Sequence, residues 1–386
     1  MSIPPGDSIG LAEALVRIDT RNPSMVPGAP GEIGAVRLLA ELLPGWGFTV
    51  ETRELPGGRA NLVARIGGGG GRTLMFNGHL DVVGVDGMVH APFDAERRDG
   101  RLYGRGSADM KGGVAAMCAA AARAAATGLG GEIVVACVAD EEYESIGTRA
   151  LVEDGIRADA AIITEPTRLA ICPAHRGFTW VELEFHGRAA HGSRYDLGVD
   201  AIAHAALVLS HLHTYQRGEL ATRTHPLLGH ASLHASTIEG GTGWSIYPDR
   251  CTLRLERRTL PGEPPDVALQ EVAEAVAHAH RLEPNLEATI AVVGSQAPSD
   301  VPVESPVVRE LGNSLVRAGE TVRIEGMSAW TDAALLNAAG IPTICFGPGD
   351  IALAHSAEEW VPIDEVERAA HVLELFALEW CGYGHG

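Results

Sequence analysis

Residues 73–83 read TLMFNGHLDVV, an apolar run that ends in an imidazole and a carboxylate. Six residues without a charge, four of them apolar or small, describe a strand buried on both faces, as strands of a parallel sheet are. Reading onward, GGVAAMCAAAARAAATG (112–128) is an alanine-rich helix, and EIVVACVAD (132–140) and ADAAIITEP (158–166) are two more apolar strands. Reading back, EIGAVRLLAELLPGWG (32–47) is a helix closed by Gly47, followed by the strands FTVETREL (48–55) and NLVARI (61–66). Helices alternating with continuous apolar strands predict an α/β fold with a mostly parallel, mixed sheet covered on both faces.

The texture changes near Gly177. FTWVELEFHG (178–187) and RCTLRLERRTL (250–260) alternate strictly, as half-exposed antiparallel strands do. The helical stretches DAIAHAALVLSHLHTYQRG (200–218) and DVALQEVAEAVAHAHRL (266–282), with a strand at EATIAVVG (287–294), complete a small α+β unit. The parallel style returns with the helix SPVVRELGNSLVRAG, the helix TDAALLNAAG, the strand PTICFG and the helix IDEVERAAHVLELFALEW. The pattern predicts one α/β domain from residues 1–177 and 294–386, interrupted by an α+β domain over 178–293.

Composition narrows the function. The 386 residues are 46% hydrophobic and 21% charged, with 30 basic against 50 acidic side chains and a net charge of −20. That field repels phosphate backbones and anionic lipid, which argues against nucleic-acid or membrane partners. Six cysteines without a Cys-x-x-Cys exclude a zinc ribbon and read as buried thiols. The first twenty residues lack a basic region followed by an apolar stretch, so the expectation is a reduced, cytoplasmic protein. No Gly-x-Ser-x-Gly, His-Glu-x-x-His or Walker loop is present. GRGSAD (104–109) puts Asp109 where a dinucleotide fingerprint needs its third glycine.

What remains is polar residues at the ends of apolar segments. His79 and Asp81 leave the first buried strand, and positions i and i+2 of a strand share a direction. Asp109 precedes the alanine helix, where an N-terminal acid would also suit the helix dipole. Glu141 and Glu142 follow the next strand; adjacent acids facing different ways suit a metal ligand and a proton carrier. Glu165 ends ADAAIITEP, and His355 lies in the loop beyond PTICFG. The carboxyl ends of parallel strands are where open α/β sheets bind ligands. Carboxylates with two imidazoles suit zinc or a similar divalent ion.

NGHLDVV (77–83), GRLYGRGSADMKGG (100–113), DEEYESIGT (140–148), TEP (164–166), AAHGS (189–193), LPGE (260–263) and GPGDIALAHSAEEWV (347–361) occur in this order. In these motifs the chain resembles the co-catalytic zinc family of aminoacylase, acetylornithine deacetylase, succinyl-diaminopimelate desuccinylase and the glutamate carboxypeptidases. The resemblance spans roughly residues 10–380. It implies a zinc domain carrying an inserted lid that also forms a homodimer. It implies two zinc ions, for which cobalt substitutes, bridged by Asp109, one completed by His79 and Glu165 and the other by Glu142 and His355. Glu141 is then the general base and Asp81 orients His79. His191 of the lid reaches the partner subunit's active site and polarises the scissile carbonyl, and Arg258 receives a substrate carboxylate. Arg254 and Arg257 lie beside Arg258, and for all three the plain alternative is surface solvation. Where many members carry an asparagine three residues before the proline matching Pro248, this chain has Ser245, preceded by Trp244. Trp244 and Trp330 either pack or line a substrate pocket. The resemblance implies hydrolysis of an N-acyl amino acid. The alternatives are a carboxypeptidase or dipeptidase acting on a short peptide, and a metal-binding scaffold without activity.

Overall fold

The computed structural model describes residues 3–384. The chain divides into two compact units. The first gathers the chain up to Pro173, Val301–Glu325 and the segment from Thr331 onward; the second holds Ala174–Asp300 and Gly326–Trp330.

The sheet of the first unit runs in the order Thr49–Leu55, Arg59–Gly67, Glu132–Val138, Thr73–His79, Ala160–Ile163, Thr343–Cys345, Ile171–His175. Its four central strands, from Glu132–Val138 to Thr343–Cys345, are mutually parallel, and the flanking strands pair antiparallel. The sheet is therefore mixed around a parallel centre, as the apolar runs foretold. Six of seven residues in both Thr73–His79 and Glu132–Val138 are buried, which is why neither shows polar alternation.

The alanine helix spans Gly112–Gly128, and most of its residues are buried. Small side chains let it lie close to its neighbours. At Gly113 an added Cβ would stand 1.9 Å from the Thr164 carbonyl oxygen, so only glycine allows this approach. The N-terminal end of the helix, just after Asp109, is thereby drawn beside Glu165. The C-terminal helix Ile363–Cys381 packs against the same alanine face.

The second unit is a four-stranded antiparallel sheet in the order Ser232–Gly240, Arg250–Thr259, Gly177–His186, Glu287–Gln296. Helices Ala201–Arg217 and Val267–Leu282 pack on it. Val181, Leu183, Phe185, Leu253 and Leu255 point into its core to meet Val208, Leu212, Val272 and Ala275. Asp200 caps the first helix, accepting from the Ile202 and Ala203 N–H groups at 3.0 Å each. Strand Ser232–Gly240 was not foreseen from sequence. Seven of its nine residues are exposed, so it carries no apolar alternation, and its partner supplies its order. All six cysteines are buried and unpaired. No described helix is long and apolar enough to cross a membrane.

Candidate metal centre

Four neighbouring strand ends deliver the polar residues. His79 is the last residue of its strand, Glu141 and Glu142 follow Glu132–Val138, Glu165 follows Ala160–Ile163, and His355 sits in the loop after Thr343–Cys345. Asp109 comes from the short distorted turn Ser107–Lys111 that leads into the alanine helix.

His79 and Asp109 are almost fully buried. The His79 Nε2 lies 3.0 Å from Asp109 Oδ1 and 3.9 Å from Glu165 Oε1. The second Asp109 oxygen, Oδ2, lies 3.5 Å from His355 Nε2, which is 2.9 Å from Glu142 Oε2. One carboxylate thus faces both histidines, one with each oxygen. Ligand atoms fall into two groups, each within 4.8 Å: His79 with Glu141 and Glu165, and His79 with Asp109 and Glu142. Hard oxygen and imidazole donors at this spacing fit divalent metal ions.

The local field agrees. Burial pushes Glu142 up to about 7, with the Asp109 charge adding to it. Burial likewise drives Glu141 and Glu165 well above the usual carboxylate range, Glu165 with help from Asp109. Burial opposes a charged His79, but the Asp109 hydrogen bond and the surrounding acids outweigh it and raise the imidazole well above its ordinary value. These acids are crowded beyond what two histidines neutralise, and bound cations relieve that crowding.

Asp81 meets His79 through its main chain rather than its carboxylate. It lies beyond the strand end, and its backbone carbonyl, 2.9 Å away, takes the His79 Nδ1–H. That bond leaves Nε2 free for a ligand. The Asp81 carboxylate is 3.7 Å from Nδ1 and instead accepts the N–H groups of Glu141 (3.1 Å) and Glu142 (3.3 Å).

Three side chains were not anticipated. Glu359 Oε1 accepts the N–H groups of Ala108 and Asp109, both at 3.1 Å, while its other oxygen receives Arg105 at 2.6 Å. Asp332, buried and pushed up to about 6 by that burial, is held by Thr148 at 2.6 Å. Arg59 lies 3.9 Å from Asp81. Glu359 falls inside a quoted motif, so an acid beside His355 was visible, but its backbone targets were not.

His191 and Arg258 belong to the second unit. His191 is exposed, its Nδ1 2.8 Å from Ser193 Oγ, and its loop pairs with the Ser245 loop through Gly192 N–H to Ser245 O at 2.8 Å. Trp244 is fully exposed, whereas Trp330 packs edge-on to His175 and Phe178 and donates to the Ala297 carbonyl at 3.0 Å. The three arginines separate. Arg254 is exposed beside Glu182, and Arg258 is half-buried, paired with Glu256 and 5.5 Å from the Phe178 ring. Arg257 is wholly buried between Glu271 (2.8 Å) and Glu263 (2.6 Å), which corrects the surface reading for that residue.

Comparison with known proteins places these residues in context. The pattern of peptidase family M20/M25/M40 matches residues 75–379. The acetylornithine deacetylase of Myxococcus xanthus is 35% identical over 331 residues, covering 84% of this chain and 85% of that protein. The crystal structure of aminopeptidase PepT from Bacillus cereus superposes with a TM-score of 0.79 at 21% identity, over 99% of this chain and 100% of that one. A dinuclear metal-binding peptidase of the M20 family from Bacillus subtilis gives 0.72 at 15% identity, over 97% of each chain. A fold shared along the whole chain, a family pattern over most of it and a close deacetylase relative lead to one assignment: this chain is an amide-bond hydrolase belonging to peptidase family M20/M25/M40.

Proposed function

We propose that the chain is a cytoplasmic, homodimeric di-zinc deacylase that cleaves the amide bond of an N-acyl amino acid. The observation that carries the reading is Asp109, whose two oxygens lie 3.0 Å from His79 and 3.5 Å from His355. In this reading Asp109 is shared by two ions, His79 and Glu165 complete one site, and Glu142 and His355 complete the other; cobalt substitutes for zinc. When bound, such ions supply Lewis acidity toward water and the substrate carbonyl. Glu141 takes the proton of the attacking water and returns it to the leaving amine. Burial raises its pKa well above the usual carboxylate range, which suits a group that both takes and returns a proton. The Asp81 carboxylate fixes the backbone that carries Glu141, and its carbonyl fixes the His79 tautomer. His191 of the partner subunit donates to the oxyanion from the inserted domain, which serves as lid and dimerisation surface. Arg258 receives the substrate carboxylate through its planar fork.

The deacetylase relative at 35% identity supports an acyl amino acid over a peptide. Zinc-loaded protein assayed against N-acyl amino acids and dipeptides, with elemental analysis alongside, tests the proposal. Hydrolysis of an acyl amino acid by protein holding about two zinc ions per chain is the expected result. Hydrolysis of dipeptides alone, or no metal bound at saturation, overturns it.

A further inference from the structure

The turn that carries Glu141 and Glu142 is held from behind by a charged cluster that none of the quoted motifs contains in full. Asp140, at φ +70°, bends the chain just before the two glutamates. Its carboxylate receives Asn22 Nδ2 at 2.9 Å, Arg59 Nη1, and the Glu144 N–H at 3.2 Å. Asn22 Nδ2 also donates to Asp81 at 2.8 Å, so the two hydrogens of one amide tie Asp81 to Asp140. The Asn22 carbonyl in turn accepts from Arg59 at 3.1 Å. Arg59 completes the cluster with a two-pronged pair to Glu32, its Nε 3.0 Å from one carboxylate oxygen. Asn22, Glu32, Arg59, Asp81 and Asp140 are each 3% exposed or less.

The arrangement is costly unless it is complete. Three carboxylates surround one guanidinium out of water, and each needs its donors. Its output is geometric. Asp81 accepts both glutamate N–H groups, and Asp140 anchors the turn on its other side, so the cluster sets where Glu141 and Glu142 begin. From there the two side chains enter different ligand groups, Glu141 with Glu165 and Glu142 with Asp109.

We infer that Asn22, Glu32 and Arg59 are positioning residues that hold the Asp140–Glu142 turn through Asp81 and Asp140, and thereby set the metal affinity and turnover of the site. The inference rests on the functional reading above, in which these glutamates serve as base and ligand.

Asn22→Ser removes the amide bridge while keeping a small polar side chain, and Arg59→Lys keeps the charge but loses the fork. Ser314→Ala serves as a stability control: its buried hydroxyl bonds Glu379 at 2.9 Å on helices away from the cluster. Three quantities are measured on the full chain: denaturation midpoint, zinc affinity by competition with a chromogenic chelator, and kcat and KM on a substrate the wild type cleaves. Loss of a residue that orients a metal ligand typically costs about 10–100-fold in affinity or activity, and that loss is expected for folded Asn22→Ser and Arg59→Lys. Ser314→Ala should lose stability and leave zinc affinity unchanged. Should Arg59→Lys fail to fold, Asn22→Ser decides the matter. Wild-type zinc affinity in folded Asn22→Ser refutes the inference, whatever the enzyme hydrolyses. Weakened zinc binding in a protein whose wild type cleaves no acyl amino acid sustains the brace and removes the functional reading instead.

Discussion

His175 gives a pH dependence that can be worked through. It is 2% exposed, donates through Nδ1 to the Arg176 carbonyl at 3.0 Å, and its Nε2 finds no partner among the described residues. Burial therefore pushes the imidazole down to about 4 from its ordinary 6.5. In the unfolded chain the ring takes its proton near 6.5, while the folded protein resists it until about 4, so the unfolded state binds more protons across that window. Stability is full above pH 6.5 and is lost as the pH falls toward 4. At pH 5 this group alone costs about 2 kcal/mol, and below 4 about 3 kcal/mol. His175→Phe keeps an aromatic ring against Trp330 and removes the titration, at a fixed cost of about 1 kcal/mol for the lost hydrogen bond. Urea denaturation of both proteins at pH 7.5 and pH 5 is the assay. The wild type should lose about 2 kcal/mol more than His175→Phe between the two conditions. Equal losses would mean that the imidazole charges freely in the folded state, and the burial argument would fail.

Other outcomes follow from the same structure. Glu141→Gln should keep its zinc yet lose at least about a hundredfold in turnover, whereas Glu142→Gln should weaken zinc binding; the reverse pattern in chelator competition and kinetics would exchange their roles. Arg257→Ala leaves Glu263 and Glu271 with only the half-buried Arg223 beside them and should cost about 3 kcal/mol in denaturant unfolding, a loss that the double variant Arg257→Met with Glu271→Gln should partly recover. His191→Ala should cost roughly 10²–10³ in turnover at unchanged metal content. Mixing that inactive protein with inactive Glu141→Gln, after dissociation and reassociation, should restore part of the activity if His191 serves the partner subunit, and confirmed heterodimers without rescue would exclude that.

Where an element buries a continuous apolar face, the sequence was readable almost to the residue. GGVAAMCAAAARAAATG is the helix Gly112–Gly128, and EIVVACVAD contains the strand Glu132–Val138. The strand Ser232–Gly240 escaped because its order comes from backbone bonds to Arg250–Thr259 while its side chains face solvent. Arg257 escaped for another reason. Leu253, Leu255 and Thr259 all face inward on that strand, so strict alternation already placed residue 257 in the core. An arginine there reads as a surface residue until Glu263 and Glu271, from the following turn and helix, are seen around it.

The candidate site divides along the same line. His79, Asp109, Glu141, Glu142, Glu165 and His355 stand in short motifs because each must follow a strand or precede a helix, and local sequence fixes that position. Their supports obey no such rule. Asn22 reaches Asp140 across 118 residues and Arg105 reaches Glu359 across 254, so nothing near either residue marks its target. A buried charge is tolerable only with its partners in place, and those partners assemble only when the sheet does. The residues that hold the site therefore become identifiable by their burial rather than by their spacing. Arg59 makes the case: an ordinary strand-opening arginine in the sequence, it lies buried among Glu32, Asp81 and Asp140 in the fold. Its replacement should be felt at Glu141 and Glu142, two residues it does not touch.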